Sequence, residues 1–195
     1  MTRDKNSMSR GTLLLAAAMI AVLSIPLAAA PKAAPGAGSQ NLDAVSAQLA
    51  RHVRHELLML PFYSVFDNLQ FSLEGADTVV LSGQVVRPTL KSGAGNVVRR
   101  VEGITKVVNN IEVLPLSGFD DRLRAATYRA IFSQPALDRY ALQPIPPIHI
   151  IVKNGNVTLI GVVASAMDKN LAGIVANSVP GAFSVKNELM VEGRS

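Results

Sequence analysis

The sequence predicts an α+β protein made of two tandem αββαβ domains, each a three-stranded sheet with two helices packed on one face. Three observations predict this fold class: an internal repeat, the same order of hydrophobic periods in both halves, and glycines at matching positions. The chain has 195 residues and no cysteine. Packing rather than disulfide bonds must therefore hold each domain together.

The repeat is found by displacing the sequence by 78 residues. TVVLSGQV at residues 78–85 returns as NVTLIGVV at residues 156–163, and the ungapped match gives 13 identities in 35 positions. Average residue usage would give about two or three. A match of this length indicates two copies of one domain. The predicted boundaries are residues 42–114 for the first copy, 115–120 for the linker and 121–192 for the second copy.

Each copy opens with apolar residues at helical spacing. Asn41 or Asp43 is the candidate N-cap of this helix in the first copy, and Asp120 or Asp121 in the second. Alternating apolar residues follow and predict a β-hairpin in both copies. Asn154-Gly155 is the stronger turn signal, because a primed two-residue turn needs positive φ angles.

A second helical period follows each hairpin, and a last alternating stretch predicts the third strand. Pro88 suits the first turn of the second helix in the first copy. Ser165 followed by Asp168 resembles a capping box in the second copy. Gly103 and Gly181 are expected to end these helices in the left-handed conformation.

Gly83 and Gly161 recur at the predicted corner between the second strand and the second helix. A side chain at this corner is expected to keep the helix from closing onto the sheet, or the backbone turns there through positive φ. These two residues, with Gly103 and Gly181, are the predicted structural glycines.

Residues 1–30 combine a basic leader, an apolar run from Leu13 to Ile25 and a tract of small residues. This pattern is typical of a secretory signal peptide and predicts export to the periplasm. An uncleaved, membrane-associated anchor is the alternative, because the apolar stretch from Leu13 to Ala30 approaches the length that spans a bilayer. Residues 31–41 are rich in Ala, Gly and Pro and predict a flexible tether.

The formal net charge is +5 at pH 7, and +3 remains when residues 1–30 are set aside. Anionic lipid head groups are an abundant partner for basic surface in an exported protein, and they attract each nearby Lys or Arg by about 1 kcal/mol. The alternative is that these charges are simply solvated. Solvated surface charge is the more ordinary of the two interpretations.

A motif spans most of each copy. V-x-L-x-G-x-V (Val79–Val85 and Val157–Val163) is followed by a helix and then by V-x-G-x-x-x-V-x-N (Val101–Asn109 and Val179–Asn187). This pattern resembles the BON domain of exported bacterial proteins. The resemblance implies an αββαβ fold, an envelope location, no catalytic activity, and a role in binding phospholipid or in osmotic stress tolerance. Because lipid-anchored relatives need a cysteine, the chain is similar to the soluble, osmotically inducible type.

Catalytic and metal-binding motifs are not found in the sequence. There is no serine nucleophile elbow, phosphate-binding glycine loop or pair of spaced catalytic carboxylates. His52 and His55 lie three residues apart on the first predicted helix, but no third ligand is near in sequence. We therefore predict no catalytic residue, cofactor or metal. Nucleic-acid binding of the KH type is also not expected, because the GxxG loop that it requires is missing.

Two connections are unusually apolar: LMLPFYSVF at residues 58–66 and DRYALQPIPP at residues 138–147. In one interpretation, Phe62, Tyr63 and Phe66 pack between the two copies. In the other, aromatic residues of both connections enter lipid head groups while arginines bind phosphate. The candidate contact residues for a membrane or partner are Phe62, Tyr63, Arg99, Arg100, Arg139 and Tyr140.

The sequence thus predicts a non-enzymatic envelope protein whose partner is an anionic phospholipid surface. The alternative function is a protein–protein interaction module of an envelope or secretion complex, which would use exposed sheet edges or uncovered sheet faces. The sequence does not separate these two kinds of partner.

Overall fold

The computed structural model describes residues 37–193, with side chains from residue 44 onward. The predicted signal peptide, residues 1–30, and the first part of the predicted tether, residues 31–36, lie outside the described residues. All described residues belong to one compact unit. Two separate sheets, one in each half, confirm the α+β class and the tandem arrangement.

The first copy has two helices, a hairpin and a third strand that is interrupted after Asn109. Its elements are α1 (Ala37–Leu58), β1 (Asn68–Glu74), β2 (Thr78–Val85), α2 (Pro88–Val98), β3 (Lys106–Asn109) and β4 (Glu112–Val113). β1 pairs antiparallel with β2, and β3 and β4 pair parallel with β2.

The second copy repeats this order and adds a short helix that the sequence did not predict. Its elements are α3 (Gly118–Phe132), α4 (Asp138–Ala141), β5 (Ile148–Lys153), β6 (Asn156–Val163), α5 (Ala166–Asn177) and β7 (Ser184–Val191). The strand order is β5-β6-β7, with an antiparallel hairpin and a parallel third strand. β7 is continuous, in contrast to the interrupted strand of the first copy.

Both opening helices start earlier than the candidate caps predict. α1 begins at Ala37, inside the predicted tether and before Asn41. α3 begins at Gly118, and the hydroxyl of Ser117 caps it by accepting a hydrogen bond from the N–H of Asp120. The predicted caps therefore lie within the helices.

Asp120 has a different role from the one its sequence position suggests. Its carboxylate is buried and accepts hydrogen bonds from the backbone N–H groups of Asn154 (2.9 Å) and Gly155 (2.8 Å). Both turn residues have positive φ, +52° and +75°, which confirms the predicted turn. Asp120 thus ties α3 to the hairpin of the same copy.

The other helix starts follow the sequence. Pro88 occupies the first turn of α2. Ser165 caps α5, and its hydroxyl accepts a hydrogen bond of 3.1 Å from the N–H of Asp168. Gly103 and Gly181 lie beyond the helix ends, at φ +91° and +94°. They turn the chain toward the third strand instead of ending the helix.

Gly83 and Gly161 lie inside β2 and β6, two residues before each strand ends, at φ +105° and +132°. A Cβ atom at either position would collide with a carbonyl oxygen of the neighbouring strand region, that of Asn68 or Pro147. The close neighbour is therefore the backbone of the hairpin, not the second helix. The expected corner with the helix comes only after the strand has ended.

A repeated asparagine links the third strand to the second helix. Asn187 Nδ2 donates to the carbonyl of Lys169 (2.7 Å), and its Oδ1 accepts from the N–H of Leu189 (3.2 Å). A Cβ on Gly173 would lie 2.6 Å from the same Nδ2 atom, so the amide needs a glycine on the helix. The matching residues of the first copy are Asn109, Lys91, Ile111 and Gly95. Three residues that are identical in the two copies, a lysine, a glycine and an asparagine, thus take part in this one contact.

We predict that Gly161→Val lowers the free energy of unfolding by at least about 2 kcal/mol, because the substitution combines backbone strain with a collision against the Pro147 carbonyl. Gly75→Val is the matched control. Gly75 also has positive φ (+69°), but a Cβ there meets no atom within 4 Å, so only strain of about 1 kcal/mol is expected. Chemical denaturation measures both, and equal losses would show that the collision does not matter.

Candidate functional site

The connection between α1 and β1, residues 59–67, crosses from the first copy to the second. Val65 is buried in the hydrophobic core of the second copy, and Phe66 packs partly against that core. The carbonyl of Val65 accepts a hydrogen bond of 2.8 Å from the N–H of Ile150, on the outer edge of β5. The first copy thus supplies a core residue and an edge hydrogen bond to the second. We call this contact the junction.

Two rings stack at the junction. Tyr63 and His149 have ring centroids 5.8 Å apart and an interplanar angle of 26°. Burial raises the pKa of the Tyr63 hydroxyl to about 12. Burial lowers the pKa of His149, although the backbone and charge of Asp67 act in the opposite direction. The buried Nδ1 of His149 has no hydrogen-bond partner among the described residues.

The two copies also meet outside the junction, at the open sheet face of the second copy. Leu114 at the end of the first copy and Ile151 on that face are both buried, and they line the same groove. Lys153 Nζ lies 2.5 Å from Glu112 Oε1 at its rim. Both charged side chains are about half exposed, so this ion pair adds little stability compared with the apolar contacts.

The structure brings the two apolar connections together. Residues 63–66 of the first copy face Ala141, Pro144 and Pro146 of the second across a groove of about 600 Å³. Tyr63 and Phe66 take part in contacts between the copies. Phe62 does not, since 70 % of it is exposed.

Phe62 has an unusual backbone conformation. Its φ is +68°, a left-handed value that bulky residues rarely adopt. The guanidinium carbon of Arg87 lies 4.9 Å from the centre of the Phe62 ring, at cation–π distance. Two neighbours on the C-terminal side, the half-buried Tyr63 and the buried Val65, fix the chain, so strain at Phe62 is held by the surrounding packing. The ring points outward as a result.

Further exposed side chains lie close to Phe62 in sequence. Leu58 and Met59, at the end of α1, are 44 % and 69 % exposed. Arg54, one turn earlier on the helix, is exposed and forms no ion pair with a described residue. We call this set the apolar–basic tip: Arg54, Leu58, Met59, Phe62 and Arg87.

Arg139 and Tyr140, predicted as contact residues, are engaged within the second copy. Tyr140 is buried, and its hydroxyl bonds Asp168 Oδ2 (3.0 Å) and accepts from the N–H of Ala164 (2.9 Å). Arg139 lies 2.7 Å from the same carboxylate. Burial alone would raise the pKa of Asp168, but hydrogen bonds from Ser165 and Tyr140 and the charge of Arg139 hold it below its ordinary value. Tyr140 is therefore not available at the surface.

The other predicted contact residues, Arg99 and Arg100, are exposed at the C-terminal end of α2. Arg99 Nη1 donates to Asn96 Oδ1 (2.8 Å). Arg87 precedes the other end of this helix, so the two arginines do not join the apolar–basic tip. The sequence analysis did not name Arg87 or Met59 as contact residues. Arg87 directly precedes Pro88, and Met59 lies three residues before Phe62, so their positions could have indicated a surface shared with Phe62.

The described residues contain no group of three or more His, Cys, Asp or Glu side chains that could hold a metal ion. His52 and His55 are both exposed on α1. Within the described range, none of the helices is long and apolar enough to cross a membrane.

Two similar α+β modules in tandem define a class of proteins with a duplicated domain. The family model of the BON domain matches residues 46–115 and 120–193. The chain therefore belongs to the BON-domain family, and the resemblance noted in the sequence is confirmed. The BON-domain family is non-catalytic, and its proteins are typically periplasmic or envelope-associated.

Among solved structures, the chain is similar to the C-terminal domain of CdsD, a structural protein of the type III secretion system of Chlamydia trachomatis. Identity is 13 %, with 73 % of this chain and 96 % of that chain covered and a TM-score of 0.27. A second structure of CdsD gives 12 % identity, coverage of 75 % and 94 %, and the same TM-score. At this TM-score the similarity supports no conclusion about function. A search of curated proteins found no match.

We predict that Val65→Asp destabilises the second copy, although Val65 belongs to the first. A carboxylate in that core has no partner, so the free energy of unfolding should fall by at least about 2 kcal/mol. Amide hydrogen exchange should show faster exchange at Ile150. Val45→Asp is the control, because Val45 is 62 % exposed. Unchanged exchange at Ile150 would mean that the junction does not support β5.

We predict that the protein loses stability as the pH falls below the ordinary histidine pKa of 6.5, because His149 binds a proton less readily when folded than when unfolded. Denaturation midpoints from about pH 7.5 to about pH 5 test this. His149→Phe keeps a ring against Tyr63 and should flatten the pH dependence. His52→Gln, at an exposed position, should not change it. A wild-type slope in His149→Phe would contradict this assignment.

Proposed function

We propose that this protein is an exported, non-enzymatic envelope protein that binds anionic phospholipid surfaces through the apolar–basic tip. In this role it supports envelope integrity under osmotic stress. Membership of the BON family supports an envelope setting. The outward ring of Phe62 is the observation that carries the proposal, because a large apolar side chain is exposed by a strained backbone beside a cation.

The tip combines the two forces that hold a protein at an interface. Leu58, Met59 and Phe62 offer apolar area that would leave water on entering the acyl boundary. Arg54 and Arg87 offer positive charge for lipid phosphate, at about 1 kcal/mol each near an anionic surface. Arg87 can move away from the Phe62 ring and bind a lipid phosphate at the depth to which the ring enters the membrane.

The tip is held in place before any lipid is bound. Tyr63 and Val65 are anchored at the junction, and Pro61 restricts the chain on the other side. Little conformational entropy would therefore be lost when Phe62 enters a membrane. The tip belongs to the first copy but depends on the second for its anchoring.

We predict that the protein binds vesicles of phosphatidylglycerol more tightly than vesicles of phosphatidylcholine at low salt, and that Phe62→Ala weakens this binding roughly tenfold through lost apolar burial. Co-sedimentation of the chain without residues 1–30 measures both affinities. Phe183→Ala is the matched control, because Phe183 is 75 % exposed but lies beside the turn between β5 and β6, where its N–H donates to the carbonyl of Gly155. It should bind as the wild type does.

The charge contribution is tested in the same assay. Arg87→Gln should weaken binding roughly fivefold and reduce its salt dependence, whereas Arg122→Gln, at an exposed position on α3, should not. Equal binding to both lipids, or equal effects of Phe62→Ala and Phe183→Ala, would overturn the proposal.

A further inference from the structure

The two copies differ at the outer edge of their first strand. In the second copy the edge of β5 is occupied: the N–H of Ile150 donates to Val65, and the carbonyl of Val152 accepts a hydrogen bond of 2.7 Å from Arg124 Nη2. An edge whose backbone groups are engaged is a poor template for another strand.

The pairing of β2 determines which peptide groups of β1 point outward, away from β2. The carbonyls of Leu81 and Val85 accept from the third-strand region, so the alternate residues of β2 face β1. Gln70 and Ser72 therefore bond to β2, and the peptide groups of Phe71 point outward. Phe71 lies opposite Leu81 just as Ile150 lies opposite Leu159, so Phe71 is the counterpart of Ile150.

This edge is free within the described part of the chain. β1 pairs with β2 alone, and none of the described residues forms a hydrogen bond with the N–H or carbonyl of Phe71. The preceding peptide group of β1 that points outward, that of Leu69, lies within hydrogen-bonding reach of the Tyr63 hydroxyl. The same sheet position is thus occupied in one copy and open in the other.

The free edge faces a groove of about 480 Å³ between the copies. Opposite β1 lies the open sheet face of the second copy, with Ile160, Met190 and Glu188, of which Met190 is 61 % exposed and Glu188 pairs with Lys186. Leu58 and Arg54 also line the groove. A strand edge beside a partly apolar floor is an arrangement that binds extended peptides by strand addition.

We propose that this groove, which we call the strand groove, binds an extended segment of a partner protein. The carbonyl of the segment accepts a hydrogen bond from the Phe71 N–H, as the carbonyl of Val65 accepts one from Ile150. The N–H of the segment donates to the Phe71 carbonyl, a second bond that the contact between Val65 and Ile150 does not have. Alternate side chains of the segment lie on Ile160 and Met190, so they are apolar. An acidic residue near one end pairs with Arg54. This site does not rest on the proposed membrane binding.

The chain itself supplies a suitable probe. A synthetic peptide with the sequence of residues 62–69, FYSVFDNL, contains the segment that docks on β5 and an acidic residue. Titrated into the chain without residues 1–30, it should bind saturably by fluorescence anisotropy. Amide hydrogen exchange should slow at Phe71. The same peptide with a methylated central backbone nitrogen should bind roughly tenfold more weakly, because it lacks the donor.

Two methionines provide a matched pair of variants. Met190→Asp places a charge on the floor of the strand groove and should weaken peptide binding roughly tenfold. Met167→Asp should bind as the wild type does, since Met167 is 77 % exposed on α5 and does not line the groove. Unfolding midpoints of both variants verify that they are folded.

Three results would overturn the strand groove. They are the lack of saturable binding, protection at β5 instead of β1, and equal affinity of the native and methylated peptides. Equal peptide affinity of Met190→Asp and Met167→Asp would also contradict it. None of these results depends on vesicle binding, so the two proposals fail separately.

Discussion

The hydrogen bond between Val65 and Ile150, with the burial of the Val65 side chain, is the constraint on which the rest of the molecule depends. It extends the edge of β5 with backbone from the other copy and completes the second core. Because small domains of about 70 residues bury only a modest core, such a shared residue contributes a large part of the available stability. The two copies are therefore expected to unfold together, although each has its own sheet.

The N–H group that follows the second strand needs a hydrogen-bond acceptor in both copies, and the two copies supply different acceptors. The N–H that follows β2, at Val86, donates to the buried carboxylate of Asp67 (2.8 Å), whereas the equivalent N–H of Ala164 donates to the Tyr140 hydroxyl (2.9 Å). A buried N–H group needs a hydrogen-bond acceptor, but different side chains can supply that acceptor. The connection before the first strand could thus diverge. In the first copy it reaches across the junction, and in the second it packs on its own domain.

This divergence generates the two surfaces to which function is assigned. Anchoring of Tyr63 and Val65 leaves Phe62 outside and shapes the apolar–basic tip. The same placement sets β1 against the open sheet face of the second copy and forms the strand groove. One surface suits an anionic membrane and the other an extended peptide. The two surfaces share Arg54 and Leu58, so a membrane and a peptide would compete for these two side chains.

The sequence by itself determined the two αββαβ copies, the turn at Asn154-Gly155 and the cap at Ser165, because periodicity, turn chemistry and caps are local properties. Only the tertiary structure decided that the Asn68 carbonyl leaves no room for a side chain at Gly83, that Tyr140 is buried and that Phe62 is exposed. These outcomes depend on residues distant in sequence, and the two apolar connections look equally suited to either environment. Packing between the copies distinguishes them, because the first connection bonds to a strand edge of the other copy and the second packs on its own domain.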